Sequence, residues 1–154
     1  MDTPRPQLLD FQFHQNNDCF TLRFQDRLIL THSKDNPCLS IGSGIADIDM
    51  FRGNFSIKDK LQEKIALTDA TVSQSPDGWL IHFSRGSDIS ATLNISADDQ
   101  GRLLLELQND NHHHNRIWLR LAAQPEDHIY GCGEQFSYFD LRGSARQTVP
   151  AVDQ

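Results

Sequence analysis

The feature that most limits what this chain can fold into is a period-two alternation of apolar and polar residues, repeated in short runs. CFTLRF places Phe20, Leu22 and Phe24 on one side, and LLDFQF does the same with Leu9, Phe11 and Phe13. RLILTH follows after a short break. WLIHF offers Trp79, Ile81 and Phe83, and ISATLNI offers Ile89, Ala91, Leu93 and Ile95. RLLLELQ carries Leu103, Leu105 and Leu107, and RIWLRLA carries Ile117, Leu119 and Leu121. Successive side chains on a strand leave opposite faces, so this pattern predicts half-buried strands. QNND, SPDGW and ADDQGR lie between runs and supply turn chemistry. The rhythm of roughly one strand per 10–12 residues predicts an all-β, antiparallel β-sandwich.

Two stretches break the pattern. Residues 56–67, SIKDKLQEKIAL, space Ile57, Leu61 and Ile65 four apart with charges between. A short surface helix and a charged excursion between strands both fit. SIGSGIADIDMFRGNF is punctuated by Gly42, Gly44 and Gly53 and reads as a connection with turns and close backbone approach. Its GSG is too short for a phosphate-binding loop and opens no helical pattern.

The chain has 154 residues, enough for one domain with a real core. Its net charge of -7 argues against a basic face for nucleic acid. No apolar run approaches membrane-spanning length, and the N-terminus lacks the pattern of a secretory signal. The expected setting is cytoplasmic, without nucleic-acid or membrane partners. Cys19, Cys38 and Cys132 are odd in number and widely spaced, so free thiols are expected rather than a disulfide framework.

Most candidate chemistry has a plainer explanation. NHHHN, with His112, His113 and His114, could suggest a metal, but adjacent strand residues diverge, and a solvated hairpin turn is the better account. No metal or cofactor is expected. Asp47 with Asp49, and Asp98 with Asp99, are sequence neighbours read as structural. No Ser-His-Asp or Cys-His constellation is identifiable, and Cys132 reads as a small packing residue. The exception is YGCGEQFSYFDLRG, residues 130–143. Glu134 and Gln135 there sit beside Phe136, Tyr138 and Phe139, the chemistry of a sugar site. Composition alone favours a buried corner with Glu134 paired to Arg142.

YGCGEQFSYFDLRG resembles the Tyr-Gly-x-Gly-Glu segment that closes the N-terminal β-sandwich of glycoside hydrolase family 31, the α-glucosidase family. Residues 1–143 as a whole resemble the N-terminal domain of a bacterial, cytoplasmic branch of that family. The likeness runs from MDTPRPQLLDFQFHQNND through NPCLSIGSGIADIDMF to the loop. It implies a galactose-mutarotase-like β-sandwich. The parent enzyme it implies is a retaining α-glycosidase whose two catalytic Asp residues sit on a following (β/α)8 barrel. In that branch, barrel residues recognise a sulfonate on the sugar. No barrel sequence is present, so no catalytic residue is carried over. Tyr130, Gly131, Gly133 and Glu134 match the family segment, and Gln135 matches the branch. The resemblance makes Glu134 and Gln135 substrate-facing residues of the parent, and Tyr130, Gly131 and Gly133 structural ones. The partners it implies are an α-glycoside and the barrel of the same enzyme.

Residues 144–154, SARQTVPAVDQ, leave the family pattern. Residues 146–154 can be back-translated so that a one-base shift reads Gly-Lys-Pro-Phe-Pro-Leu-Trp-Thr, close to the expected continuation. The expectation is therefore a native domain over 1–143 and a frameshifted, non-native tail over 144–154. Three functions follow. The first is a severed N-terminal glycosidase domain, inactive alone, that would pack on the barrel and shape its active-site entrance. The second is a free-standing carbohydrate-binding sandwich using Trp79 or Trp118. The third is a mutarotase-like isomerase, which would need a His and a Glu to converge; His82 and Glu106 are available.

Overall fold

The computed structural model describes residues 11–16, 19–24, 26–52, 54–109 and 111–128. These form ten strands: β1 Phe11–Asn16, β2 Cys19–Phe24, β3 Arg27–His32, β4 Leu39–Phe51, β5 Asn54–Ala66, β6 Asp69–Ser75, β7 Gly78–Arg85, β8 Ile89–Ala97, β9 Leu103–Asn109 and β10 Arg116–Leu119. Every pairing is antiparallel, in three sheets ordered β1-β2-β3, β10-β4-β5 and β6-β7-β8-β9. No helix occurs among the described residues.

The expected all-β sandwich is the observed fold, and the alternation explains how it packs. Phe20, Leu22 and Leu30 from the first sheet are buried with Ile81, Phe83, Ala91, Leu93 and Ile95 from the four-stranded one. The two layers meet through aromatic rings. Phe13 stacks on Trp79 at 5.2 Å, and the Phe83 ring meets Phe20 edge-on at 5.9 Å, an arrangement that adds to simple area burial. Leu39 and Ile41 of β4 close the core from the third sheet.

The turns follow their chemistry. Ser75 pairs with Gly78, leaving Pro76 and Asp77 as a two-residue hairpin turn. In the β8–β9 turn the Asp98 carboxylate accepts hydrogen bonds from the N–H groups of Gln100 and Arg102 at 2.9 and 2.8 Å and pairs with Arg102 Nε at 2.6 Å. The bonds from Arg102, backbone first, hold Asp98 below the usual carboxylate range. Gly101 takes φ +73° there, a conformation that favours glycine.

Three sequence readings need correction. Residues 56–67 contain no helix; residues 56–66 belong to β5, which pairs with β4 in a register that sets Ile48 opposite Ile57. The glycine-punctuated stretch is a strand, β4, rather than a loop. Gly42 is buried because its partner positions come close: a Cβ there would fall on the backbone carbonyl of Glu63 and lie 3.0 Å from the Trp118 ring. The alternation of RIWLRLA also overstates burial. Leu119 packs on the core, but Ile117 and Leu121 are about half exposed, because β10 is a short edge strand with a single neighbour.

Candidate functional site

The residues singled out for a sugar site, Glu134 and Gln135 with Tyr130, Gly131 and Gly133, lie outside the described residues. So do Cys132 and the proposed boundary at residue 143. Among the described residues the most distinctive surface is the outer half of the β4–β5 hairpin.

That hairpin is built in two parts. Its inner half is a proper sheet: residues 39–42 of β4 pair with β10 on one side and with β5 on the other. β10 stops at Arg116, and Asn115 takes over for one position. The N–H of Gly44 donates to Asn115 Oδ1 at 3.0 Å, and Asn115 Nδ2 donates to the Gly44 carbonyl at 3.1 Å. A side-chain amide thus imitates one rung of a third strand and satisfies backbone groups that would otherwise be left at the sheet's margin. A register shift between Ser43 and Gly44 sits at the same point, where a bulge adds twist. Arg116 braces the junction, donating to Asp59 through Nη2 at 2.7 Å and Nε at 3.1 Å. The guanidinium bonds hold Asp59 below the usual carboxylate range and push Arg116 higher still.

Beyond Gly44 the two strands pair only with each other, out to Phe51 with Asn54, a ribbon of about 25 Å at the usual rise per residue. Cross-strand partners share a face, and the register puts Ala46, Ile48 and Met50 on one side, together with Leu61 and with Asp59, which Arg116 holds. Ile48 and Met50 are 62% and 64% exposed, and Leu61 50%. The opposite side carries Asp47 and Asp49 across from Lys58 and Ser56, with Asp47 also paired to Lys60 at 3.4 Å, and it also carries the exposed Ile45 and Phe51. This explains why the Asp47–Asp49 pair is structural. An isolated two-stranded ribbon is marginally stable in water, and contiguous exposed apolar surface of this kind marks interaction sites.

The other sequence candidates resolve differently. Trp79 faces the core against Phe13, so it is no sugar platform. Trp118 covers Gly42, with the Lys64 ammonium 4.7 Å from its ring centre. His82 and Glu106 lie on the same outer face of the four-stranded sheet but two strands apart and on different rungs: His82 pairs with Thr92, and Glu106 with Asn94. They do not converge. His112 and His113 are exposed in the β9–β10 turn as expected, whereas the His114 side chain is 6% exposed, 3.8 Å from Glu63. Its Nδ1 has no hydrogen-bond partner among the described residues. No cluster of three metal-ligating side chains occurs among the described residues.

One pair went unseen in the sequence. His32 and Cys38 meet in the core, both about 1% exposed. The imidazole Nε2–H donates to the Thr68 carbonyl at 3.2 Å, and Nδ1 accepts from the Cys38 N–H at 3.4 Å with Cys38 Sγ 3.6 Å away. The ring lies parallel to Phe20 at 5.2 Å. This is not a nucleophilic dyad. Burial pushes the Cys38 thiol up to about 12 and lowers the His32 value, so thiol and imidazole are both held neutral.

Residues 3–153 match the family described as the glycosyl hydrolase 31 N-terminal galactose mutarotase-like domain. The chain is 95% identical over 143 residues to the sulfoquinovosidase of Escherichia coli (strain K12), which covers 93% of this chain and 21% of that protein. It is 38% identical over 131 residues to the sulfoquinovosidase of Agrobacterium fabrum (strain C58), covering 85% of this chain and 19% of that protein. Among solved structures, a family 31 sulfoquinovosidase from E. rectale in complex with the aza-sugar inhibitor IFGSQ superposes with a TM-score of 0.69 at 38% identity, over 86% of this chain and 19% of that one. The chain therefore spans about a fifth of the length of the curated relatives it matches.

Proposed function

Because this chain belongs to the N-terminal galactose mutarotase-like domain family of glycosyl hydrolase 31, we propose that it serves as the docking sandwich of a retaining α-glycosidase of the sulfoquinovosidase type. The observation that carries this reading is the exposed apolar surface of the ribbon beyond Gly44. Its apolar face, with Ile48, Met50 and Leu61 half or more exposed, needs a cover, and the relatives are about five times as long as the matched segment. The rest of such an enzyme is the cover proposed here.

In this reading the ribbon lays its apolar face on the catalytic barrel and turns its Asp–Lys face to water. Glu134 and Gln135, in the segment that closes the domain, approach the active-site entrance and hydrogen-bond sugar hydroxyls. Retaining hydrolysis needs a nucleophile and an acid/base carboxyl about 5–5.5 Å apart. Those groups belong to the barrel, so the 154-residue chain alone is inactive and its α-glycoside substrate is held jointly.

The test is complementation. The remaining four-fifths of the E. coli relative is co-expressed with this chain, and hydrolysis of a chromogenic α-sulfoquinovoside is followed. The chain alone gives no turnover; the pair co-purifies and hydrolyses. Ile48→Asp with Met50→Asp abolishes co-purification while leaving the melting curve of the chain in place. Turnover by the chain alone, or undiminished association of the double variant, would sink the proposal.

A further inference from the structure

We propose that the outer face of the four-stranded sheet, over β7, β8 and β9, is a binding site for a single neutral sugar ring. It lies on a different sheet from the ribbon and does not depend on the docking reading. Two rungs of the sheet form its floor. Leu80, Asn94 and Glu106 stand side by side on one, and Thr92 and Gln108 on the next. The β6–β7 turn, with Asp77, stands along the edge and makes the face concave, with a volume of about 250 Å³. That is just under the roughly 300–1,000 Å³ of ordinary small-molecule sites, which suits one pyranose rather than an oligosaccharide.

The lining has the chemistry of a polyol site. Asn94 and Gln108 each offer a donor and an acceptor in a fixed plane, and Glu106 and Asp77 are acceptors for paired hydroxyls. Thr92 adds a hydroxyl, 3.5 Å from His82 Nδ1. Among the described residues, none of the Asn94, Glu106, Gln108 or Asp77 side chains has a protein hydrogen-bond partner, so a ligand breaks no existing bond to engage them. Neighbouring positions on adjacent strands are about 4.5–5.5 Å apart, comparable to the span of a pyranose ring. Leu80, 38% exposed, supplies an apolar patch for ring C–H groups. Leu80, Thr92 and Asn94 stand on inner strands and Glu106 and Gln108 on the edge strand β9, so backbone pairing fixes their spacing before any ligand arrives.

Charge decides the ligand class. Two carboxylates line the cleft, and no lysine or arginine does. A sulfonated or phosphorylated sugar would bring its anion against like charge without a compensating donor cation. A neutral hexose meets no such penalty.

The experiment titrates the uniformly 15N-labelled 154-residue chain with methyl α-D-glucopyranoside and, separately, with its 6-sulfonated counterpart, reading amide shifts. The neutral glycoside is expected to give saturable shifts centred on Thr92, Asn94, Glu106 and Gln108, with Kd on the order of 1–10 mM for so open a site. Asn94→Ala with Gln108→Ala weakens binding at least tenfold, and Thr92→Val weakens it several-fold should the double variant lose its folded spectrum. The sulfonated sugar leaves these amides unmoved until Glu106→Gln and Asp77→Asn remove the charge. No saturable shift up to about 100 mM, well beyond the affinity expected, would overturn the proposal. So would undiminished binding by the variants, or equal shifts with the sulfonated sugar.

Discussion

Lowering the pH should cost this domain stability through one residue, His32. Its side chain is 1% exposed and ringed by Phe20 and Phe83. Burial lowers its proton affinity below the ordinary 6.5; the Thr68 bond opposes that shift, the Arg120 charge adds to it, and Asp69 opposes it. The neutral imidazole is also the form its bonds require, with Nδ1 accepting from the Cys38 N–H. The unfolded chain therefore binds more protons than the folded one below pH 6.5. Stability is full above that value and falls as pH drops from it toward the lower folded value, by up to about 1.4 kcal/mol per pH unit. Between about pH 7.5 and pH 5 the loss is at most about 2 kcal/mol, or about 4–8 °C in melting temperature for a chain of this size. Asp59 and Asp98, held below 3.8, act only in a more acidic window. Urea titrations followed by the fluorescence of Trp79 and Trp118 at the two pH values measure the loss. His32→Gln should be weaker at pH 7.5 yet lose much less on acidification. A flat profile in the parent chain, or an unchanged slope in His32→Gln, would refute the reasoning.

Two further outcomes follow from the junction and the core. Asn115→Ala removes both bonds to Gly44 and leaves its backbone groups short of partners, so it should cost about 1–3 kcal/mol and raise amide exchange at Gly44 and along the ribbon, as hydrogen-exchange mass spectrometry would detect. Thiol labelling near pH 8 should modify the exposed Cys19 in the native chain and spare Cys38 until unfolding. The Cys38 thiol is buried and pushed up to about 12, and equal labelling rates would contradict its placement.

Much of the fold is legible in the sequence. CFTLRF and RLILTH coincide with β2 and β3, and the inward sets Trp79, Ile81 and Phe83, and Ala91, Leu93 and Ile95, are the ones that meet the core. Where reading failed, burial did not alternate. Residues 45–51 of β4 are exposed on both faces, so the alternation of Asp47, Ile48, Asp49 and Met50 marks no buried face, and the nearby Gly42, Gly44 and Gly53 suggested a loop. The partner strand β5 carries Lys58 and Lys60 on the projecting ribbon and Lys64 at its base, and its four-residue apolar spacing imitated a helix. The family likeness was carried by the segment over residues 130–143, and the sugar-facing roles of Glu134 and Gln135 rest on that likeness alone.

By itself the sequence determined the strand faces, the tight turns and the class of fold, because alternation and turn chemistry act between residues close along the chain. Only the tertiary structure decided that Asn115 would clamp Gly44, 71 positions away. The same holds for the Arg116–Asp59 brace, 57 positions apart, and for the seating of His32 against Thr68. It also decided that Asn94, Glu106 and Gln108 would share one concave face. Those contacts depend on strand register and on how sheets close over each other, quantities fixed by the packing of the whole core and written in no single segment.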